Sequence, residues 1–334
     1  MASTEIRKIE ENKDVASLIL YRDSVTPFRK SFITVGEDKM SIAISFKKYV
    51  EEFKNLEVYQ SDVFIASFPK TGTTWLSEMV WMICNDMNFE KGRELLAKRV
   101  PFLEMCGIYD QEEMQKSLKG NNPEFINDSI GFIRRLKEPR LIKTHLPFSL
   151  LPLQIQNNTK QPKILYITRN PKDVCVSYYH HAKLLEGYRG NLEDFRTLFL
   201  TGKVQYGPFW NNVMGYWKRR HWPNILILQY EQLITDLPSM IKKVALFLEK
   251  PLTDKQIEIL AKHLNFESMR RNKSVNGEEV VEMRKKQNLV VEDGHFLRSG
   301  KMDDYKEEMN FEMINKFDAW IKEKVAGTDF DLYT

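Results

Sequence analysis

Residues 63–83 read VFIASFPKTGTTWLSEMVWMI, and three physical signals follow one another within them. Val63–Phe68 is an apolar run of strand length, as a strand covered on both faces requires. Pro69, Lys70, Thr71 and Gly72 break the run as a loop. From Thr73 the apolar residues Trp75, Met79, Met82 and Ile83 recur at helical spacing. A strand, a glycine-containing loop and a helix in this order make an anion cradle. Gly72 lets the backbone approach a ligand closely, and the free N–H groups of the first helical turn point at phosphate oxygens. Thr73 and Thr74 add hydroxyl donors, and Lys70 adds a charge. The lysine precedes the glycine and no GxxxxGK[ST] occurs, so the loop is P-loop-like without being that of a generic ATPase. A threonine-capped turn would explain a lone GTT; it does not explain the whole octapeptide Phe68–Trp75.

The same alternation extends outward. Leu141–Thr144, Ile164–Thr168 and Asn224–Gln229 read as further buried strands. Arg169-Asn170-Pro171 reads as a turn with proline at the first helical position, and the helix after it carries Val174, Val176, Ser177 and Tyr178. Helices are expected over 238–248, 254–263 and 311–325. Strands interleaved with helices predict an α/β single domain, a central parallel sheet flanked by helices, with ligands bound where loops leave the carboxyl ends of the strands. Residues 270–293, RRNKSVNGEEVVEMRKKQNLVVED, are charged and weakly periodic, and read as a long mobile excursion over a site.

Composition narrows the function. Fifty Lys and Arg against 46 Asp and Glu leave a net charge of +4, too mild for a nucleic-acid partner but suited to a small, highly charged anion. Cys84, Cys106 and Cys175 are odd in number and unpaired in spacing, which excludes a disulfide framework or a cysteine zinc site. The six histidines show no HExxH or similar ligand spacing, so no metal is expected. A polar N-terminus and the lack of any apolar run of about eighteen residues predict no secretory signal, no membrane span and a cytoplasmic address.

The octapeptide resembles the 5′-phosphosulfate-binding (PSB) loop of the cytosolic sulfotransferases. The likeness continues in the family's order through Arg99–Glu104 (RVPFLE), Lys143–Pro147 (KTHLP), Tyr166–Asp173 (YITRNPKD), Ser177–His180 (SYYH), Gln229–Glu231 (QYE) and Phe296–Gly300 (FLRSG). The resemblance implies transfer of a sulfuryl group from 3′-phosphoadenosine 5′-phosphosulfate (PAPS) to a hydroxyl, leaving adenosine 3′,5′-bisphosphate (PAP). It implies His145 as the base, since a histidine of near-neutral pKa can take the hydroxyl proton. Lys70 would stabilise the leaving oxygen and Lys143 the moving sulfuryl group. The resemblance places Lys70, Thr71, Gly72, Thr73 and Thr74 on the 5′ end of the donor, and Arg169 and Ser177 on its 3′-phosphate. Ser177 would also restrain Lys70 until acceptor arrives. Arg298, Ser299 and Gly300 would meet the same phosphate, with serine where the family has lysine. Trp75, Tyr230 and Phe266 would wall the adenine, and Leu264 stands where a hydroxyl residue is common.

On the acceptor side the resemblance points to Phe102, with Met105 and His181 where phenol-handling members carry aromatics; His180 competes with His181 as the inward one. Residues 1–60 are expected to pack on the core and contribute to the acceptor pocket, and 61–334 to form the α/β domain. The acceptor would be a small apolar phenol, hydroxysteroid or retinoid-like alcohol, and an allylic alcohol could eliminate after transfer. The family's dimer element is poorly matched after Lys306, so the homodimer it implies stays open. A Golgi carbohydrate sulfotransferase would need an N-terminal anchor, a nucleotide kinase would need a Walker lysine, and a binding module would not need His145, Lys70 and Lys143 together.

Overall fold

Two sheets organise the chain in a computed structural model, which describes residues 4–119 and 123–333. Strands β1 (Ile6–Lys8), β2 (Phe32–Val35) and β3 (Met40–Ala43) form an antiparallel sheet in the order β1-β2-β3. Strands β4 (Val63–Ser67), β5 (Leu141–Thr144), β6 (Lys163–Thr168) and β7 (Ile225–Gln229) form a parallel sheet in the order β5-β4-β6-β7. All five residues of β4 are buried. Phe64 and Ala66 enter one core cluster while Val63 and Ile65 enter another, so alternate side chains serve opposite faces of the sheet. Both faces are covered by helices, which is why the strand reads as continuously apolar. The strands and helices expected from sequence lie within a residue or two of those observed, and the helix Phe311–Val325 has the expected bounds.

The antiparallel sheet has no counterpart in the sequence reading. Its strands are only three or four residues long, and β1 is the polar triplet IRK with two exposed positions. Pairing gives them their structure: Ile6–Lys8 oppose Ile33–Val35, and Phe32–Val35 oppose Met40–Ala43. Phe32, Ile33, Val35 and Ile42 join the same core cluster as Phe64 and Tyr178. The lining of the main cavity begins at Pro69. The segment acts from behind that wall. Ser41 exchanges backbone hydrogen bonds with Tyr206 and Gly207, both at 2.7 Å, and the buried Arg29 pairs with Glu186 at 2.9 Å and Gln205 at 3.0 Å.

The excursion is corrected. Within 270–293 a helix forms over Glu278–Lys286, with Val281 and Arg284 buried. Val281 packs on Leu184 and Leu185, and the Val291 N–H donates to the Lys183 carbonyl at 2.8 Å. Its order comes from that distant surface rather than from its own periodicity.

At the amino-terminal edge of the parallel sheet, Asp62 precedes β4 and Arg140 precedes β5, both essentially inaccessible. Arg140 donates through Nε at 2.8 Å and Nη2 at 2.5 Å to the two carboxylate oxygens, and again to the Glu57 carbonyl at 2.8 Å. Removing one partner strands the other charge in the interior. Asp62→Ala is expected to lower the unfolding free energy by about 3–5 kcal/mol, read as a drop in the urea midpoint.

Candidate active site

Each parallel strand delivers a polar or aromatic residue to one edge. Just past the carboxyl ends lie Lys70 after β4, His145 after β5, Arg169 after β6 and Tyr230 after β7. All four line one cavity of about 680 Å³. So do Gly72, Thr73, Thr74, Trp75, Phe102, Met105, Lys143, Ser177, His181, Leu264, Phe266, Arg298, Ser299 and Gly300. Every residue singled out in the sequence is thus brought to this cavity except Thr71. That side chain is fully buried, and its hydroxyl bonds the carbonyls of Phe68 (2.9 Å) and Ile167 (3.0 Å), tying the loop to β6.

The loop geometry requires its glycine. Gly72 caps the helix Thr73–Cys84 at φ 103°, in the left-handed region that favours glycine, and a Cβ there would stand 2.6 Å from Cδ2 of Tyr230. Lys70 also has positive φ, 71°. Its ammonium lies 3.4 Å from His181 Nδ1 and 4.8 Å from the centre of the Phe296 ring. Among the described residues it makes no hydrogen bond to Ser177. His181 is the histidine turned towards Lys70; His180 turns instead to Glu308, at 2.6 Å.

The crevice is rich in cations, some compensated only in part: Arg298 pairs with Asp304 at 2.8 Å and Glu308 at 3.1 Å. Burial, then the charges of Lys143, Arg169 and Arg298, pushes Lys70 down to about 7. Burial lowers Lys143 to about 8 against the favourable charge of Glu104. Arg169 approaches Asp173 only at 3.9 Å and covers the Tyr230 ring at 4.4 Å, and its Nε has no partner. Nε of Arg298 and Nε1 of Trp75 are likewise buried without partners. Trp75 and Tyr230 meet edge to face at 5.8 Å, while Gly300, at φ 67°, leaves room for the Phe266 ring. Unpaired donors beside flat rings fit an anion attached to an aromatic base.

His145 is fixed in one tautomer. Its Nδ1 stands 2.8 Å from the Ser67 carbonyl, which can only accept, so Nδ1 carries the proton and Nε2 keeps its lone pair. Burial and the neighbouring Lys143 hold the imidazole well below its usual pKa, leaving it neutral at physiological pH. The backbone around it is clamped. Glu104 accepts from the His145 N–H (2.5 Å) and the Thr144 hydroxyl (2.9 Å), while Asn212 Nδ2 donates to the His145 carbonyl (2.9 Å). Phe102 and Tyr206 pack their rings edge-on to the imidazole at 5.0 and 5.4 Å. Glu104, Asn212 and Tyr206 are the residues that sequence reasoning assigned no role. Only Glu104 carried a signal, a carboxylate inside the apolar block VPFLE. Burial raises it to about 7 despite its hydrogen bonds.

A parallel α/β sheet with a cation-lined crevice at its carboxyl edge defines an enzyme built around an anionic nucleotide. The family model described as "Sulfotransferase domain" matches residues 60–329, and the chain belongs to that family as a PAPS-dependent sulfotransferase. Luciferin sulfotransferase of Photinus pyralis is 45% identical over 98% of this chain and 89% of its own length. Mouse sulfotransferase 1B1 is 33% identical over 84% of this chain and 89% of its own. Among solved structures, retinol dehydratase with retinol and PAP superposes at a TM-score of 0.87 with 31% identity, covering 98% of each chain. Among the described residues no helix is long and apolar enough to cross a membrane.

Gly72→Ala would impose a strained backbone and a clash with Tyr230. It is expected to cost about 1–3 kcal/mol, measured as a loss of unfolding free energy in urea that added PAP fails to restore to the wild-type value.

Proposed function

We propose that the chain transfers the sulfuryl group of PAPS to a hydroxyl of a small, largely apolar acceptor in the cytoplasm, with His145 as general base. The observation that carries this is the His145 geometry: a neutral imidazole, Nδ1–H engaged by Ser67, Nε2 free, on the wall of the cavity. Nε2 takes the acceptor proton as its oxygen attacks sulfur in line, and the bridging oxygen leaves with PAP. Lys70 meets the charge that grows on the leaving oxygen, and Lys143 the sulfuryl oxygens, both in a site largely shielded from water. Arg169, Ser177, Arg298 and the Gly300 backbone hold the 3′-phosphate, Ser299 standing beside them. Trp75, Tyr230, Leu264 and Phe266 enclose the adenine. Phe102, Met105 and the neighbouring Ile108, Phe125 and Ile126 give the acceptor side an apolar wall, with His181 as a polar edge. Phenols, hydroxysteroids and retinoid-like alcohols all match such a wall. The retinol dehydratase neighbour supports a second outcome, elimination after transfer to an allylic alcohol.

The direct test is incubation of the purified protein with ³⁵S-labelled PAPS and a panel of these acceptors, without added metal. Labelled product is expected, falling about 10²–10⁴-fold in His145→Ala while calorimetry still detects PAP binding. PAP bound with no donor consumed in any mixture would overturn the reading, whereas donor consumed with a dehydrated hydrocarbon formed would identify elimination.

Depressed lysine pKa values also predict a pH dependence. An anion favours protonated Lys70, whose pKa of about 7 in the free protein must rise when PAP binds. Below pH 7 Lys70 is already charged and adds no slope. Above it, each site must take up a proton, so PAP affinity should fall by up to about tenfold per pH unit for each lysine, Lys143 joining near 8. Lys70→Met should remove the lower step, and calorimetry from pH 6 to 9 would read both.

A further inference from the structure

Six arginines lie almost wholly inside the described fold: Arg29, Arg99, Arg140, Arg169, Arg196 and Arg284. Five of them face a carboxylate at 2.5 to 3.9 Å, on Glu186, Glu78, Asp62, Asp173 and Glu193 in turn. Arg284, only 4% exposed, pairs with no acidic side chain among the described residues. Its Nη1 bonds the neutral Gln287 Oε1 at 2.6 Å and touches Met114 Sδ at 3.4 Å, while its Nε has no partner. The guanidinium lies over the Tyr109 ring at 4.3 Å. A ring face and an amide compensate a buried charge only in part, and such a charge is costly unless an anion faces it.

The position of Arg284 says where that anion would come from. It belongs to the helix Glu278–Lys286 and lines the main cavity. Arg169, a cavity arginine whose carboxylate contact is loose, has the donor's phosphate to meet. The contacts of Arg284 run to Met114, Gln287 and Tyr109, and Tyr109 continues the wall of Met105 and Ile108. We propose that the acceptor carries a carboxylate in addition to its reacting hydroxyl, and that Arg284 binds it, making the preferred substrates apolar hydroxy acids. The planar fork of arginine matches a carboxylate bidentately. Because Arg284 sits on the segment folded over the cavity, the same contact would tie that segment down on the bound acceptor.

This assignment rests on the sulfuryl-transfer reading, and the test separates the two. The PAP-loaded protein is titrated calorimetrically with 4-hydroxyphenyl alkanoic acids of increasing chain length and with their methyl esters. At one chain length or more the acid should bind at least tenfold tighter than its ester. Arg284→Met should abolish that preference, with PAP affinity reporting its intact fold, and Arg284→Lys should retain part of it. Equal binding of acid and ester at every length, or a preference that survives in Arg284→Met, would overturn the proposal. Turnover of labelled PAPS in parallel reads the chemistry separately: an acid preference without any consumption of PAPS would overturn sulfuryl transfer and leave the charge recognition standing.

Discussion

Parallel pairing of β4 with both β5 and β6 is the constraint on which the rest depends. Parallel strands share one carboxyl edge, so the loops after four strands open on the same crevice whatever their separation in the chain. Ser67 ends β4 and His145 follows β5, and in register they come close enough for the Ser67 carbonyl to accept a hydrogen bond from the imidazole Nδ1–H at 2.8 Å. That single hydrogen bond chooses the tautomer and leaves the Nε2 lone pair free. A slip of one residue in this register would reverse every side chain between the two faces.

Around that edge the protein spends stability on charge. Lys70 and Lys143 are half-buried with lowered pKa values, Arg169 has one loose carboxylate partner, and Glu104 is buried with a raised pKa. Ion pairs elsewhere in the interior are closed: Asp62 with Arg140, and Glu78 with Arg99 at 2.8 Å. The contrast separates two uses of buried charge. Closed pairs fix the frame; open cations wait for a ligand that brings the missing anion.

Two segments act on the site from outside the sheet. The N-terminal segment holds Glu186, Gln205 and Tyr206 in place through Arg29, ahead of β2, and Ser41 in β3. The segment around Glu278–Lys286 closes the cavity from the opposite direction in the chain and brings Arg284 to it. Both depend on contacts between residues more than a hundred positions apart. Neither has a local pattern that announces it.

The sequence by itself determined the parallel sheet, the anion loop and the residues after its strands. Those features are local: a buried strand must be apolar, a tight left-handed turn needs Gly72, and a helix repeats its apolar face every three or four residues. Nearly all of the site residues named from the sequence line the cavity, because the motifs sit where strands end. Tertiary structure alone decided the rest. It turned the Thr71 hydroxyl onto β6, directed His181 rather than His180 to Lys70, folded the excursion into a helix, and set Glu104 beneath His145. Each of these is a pairing across the chain, and pairings are settled by packing, burial and hydrogen-bond satisfaction that no single segment encodes.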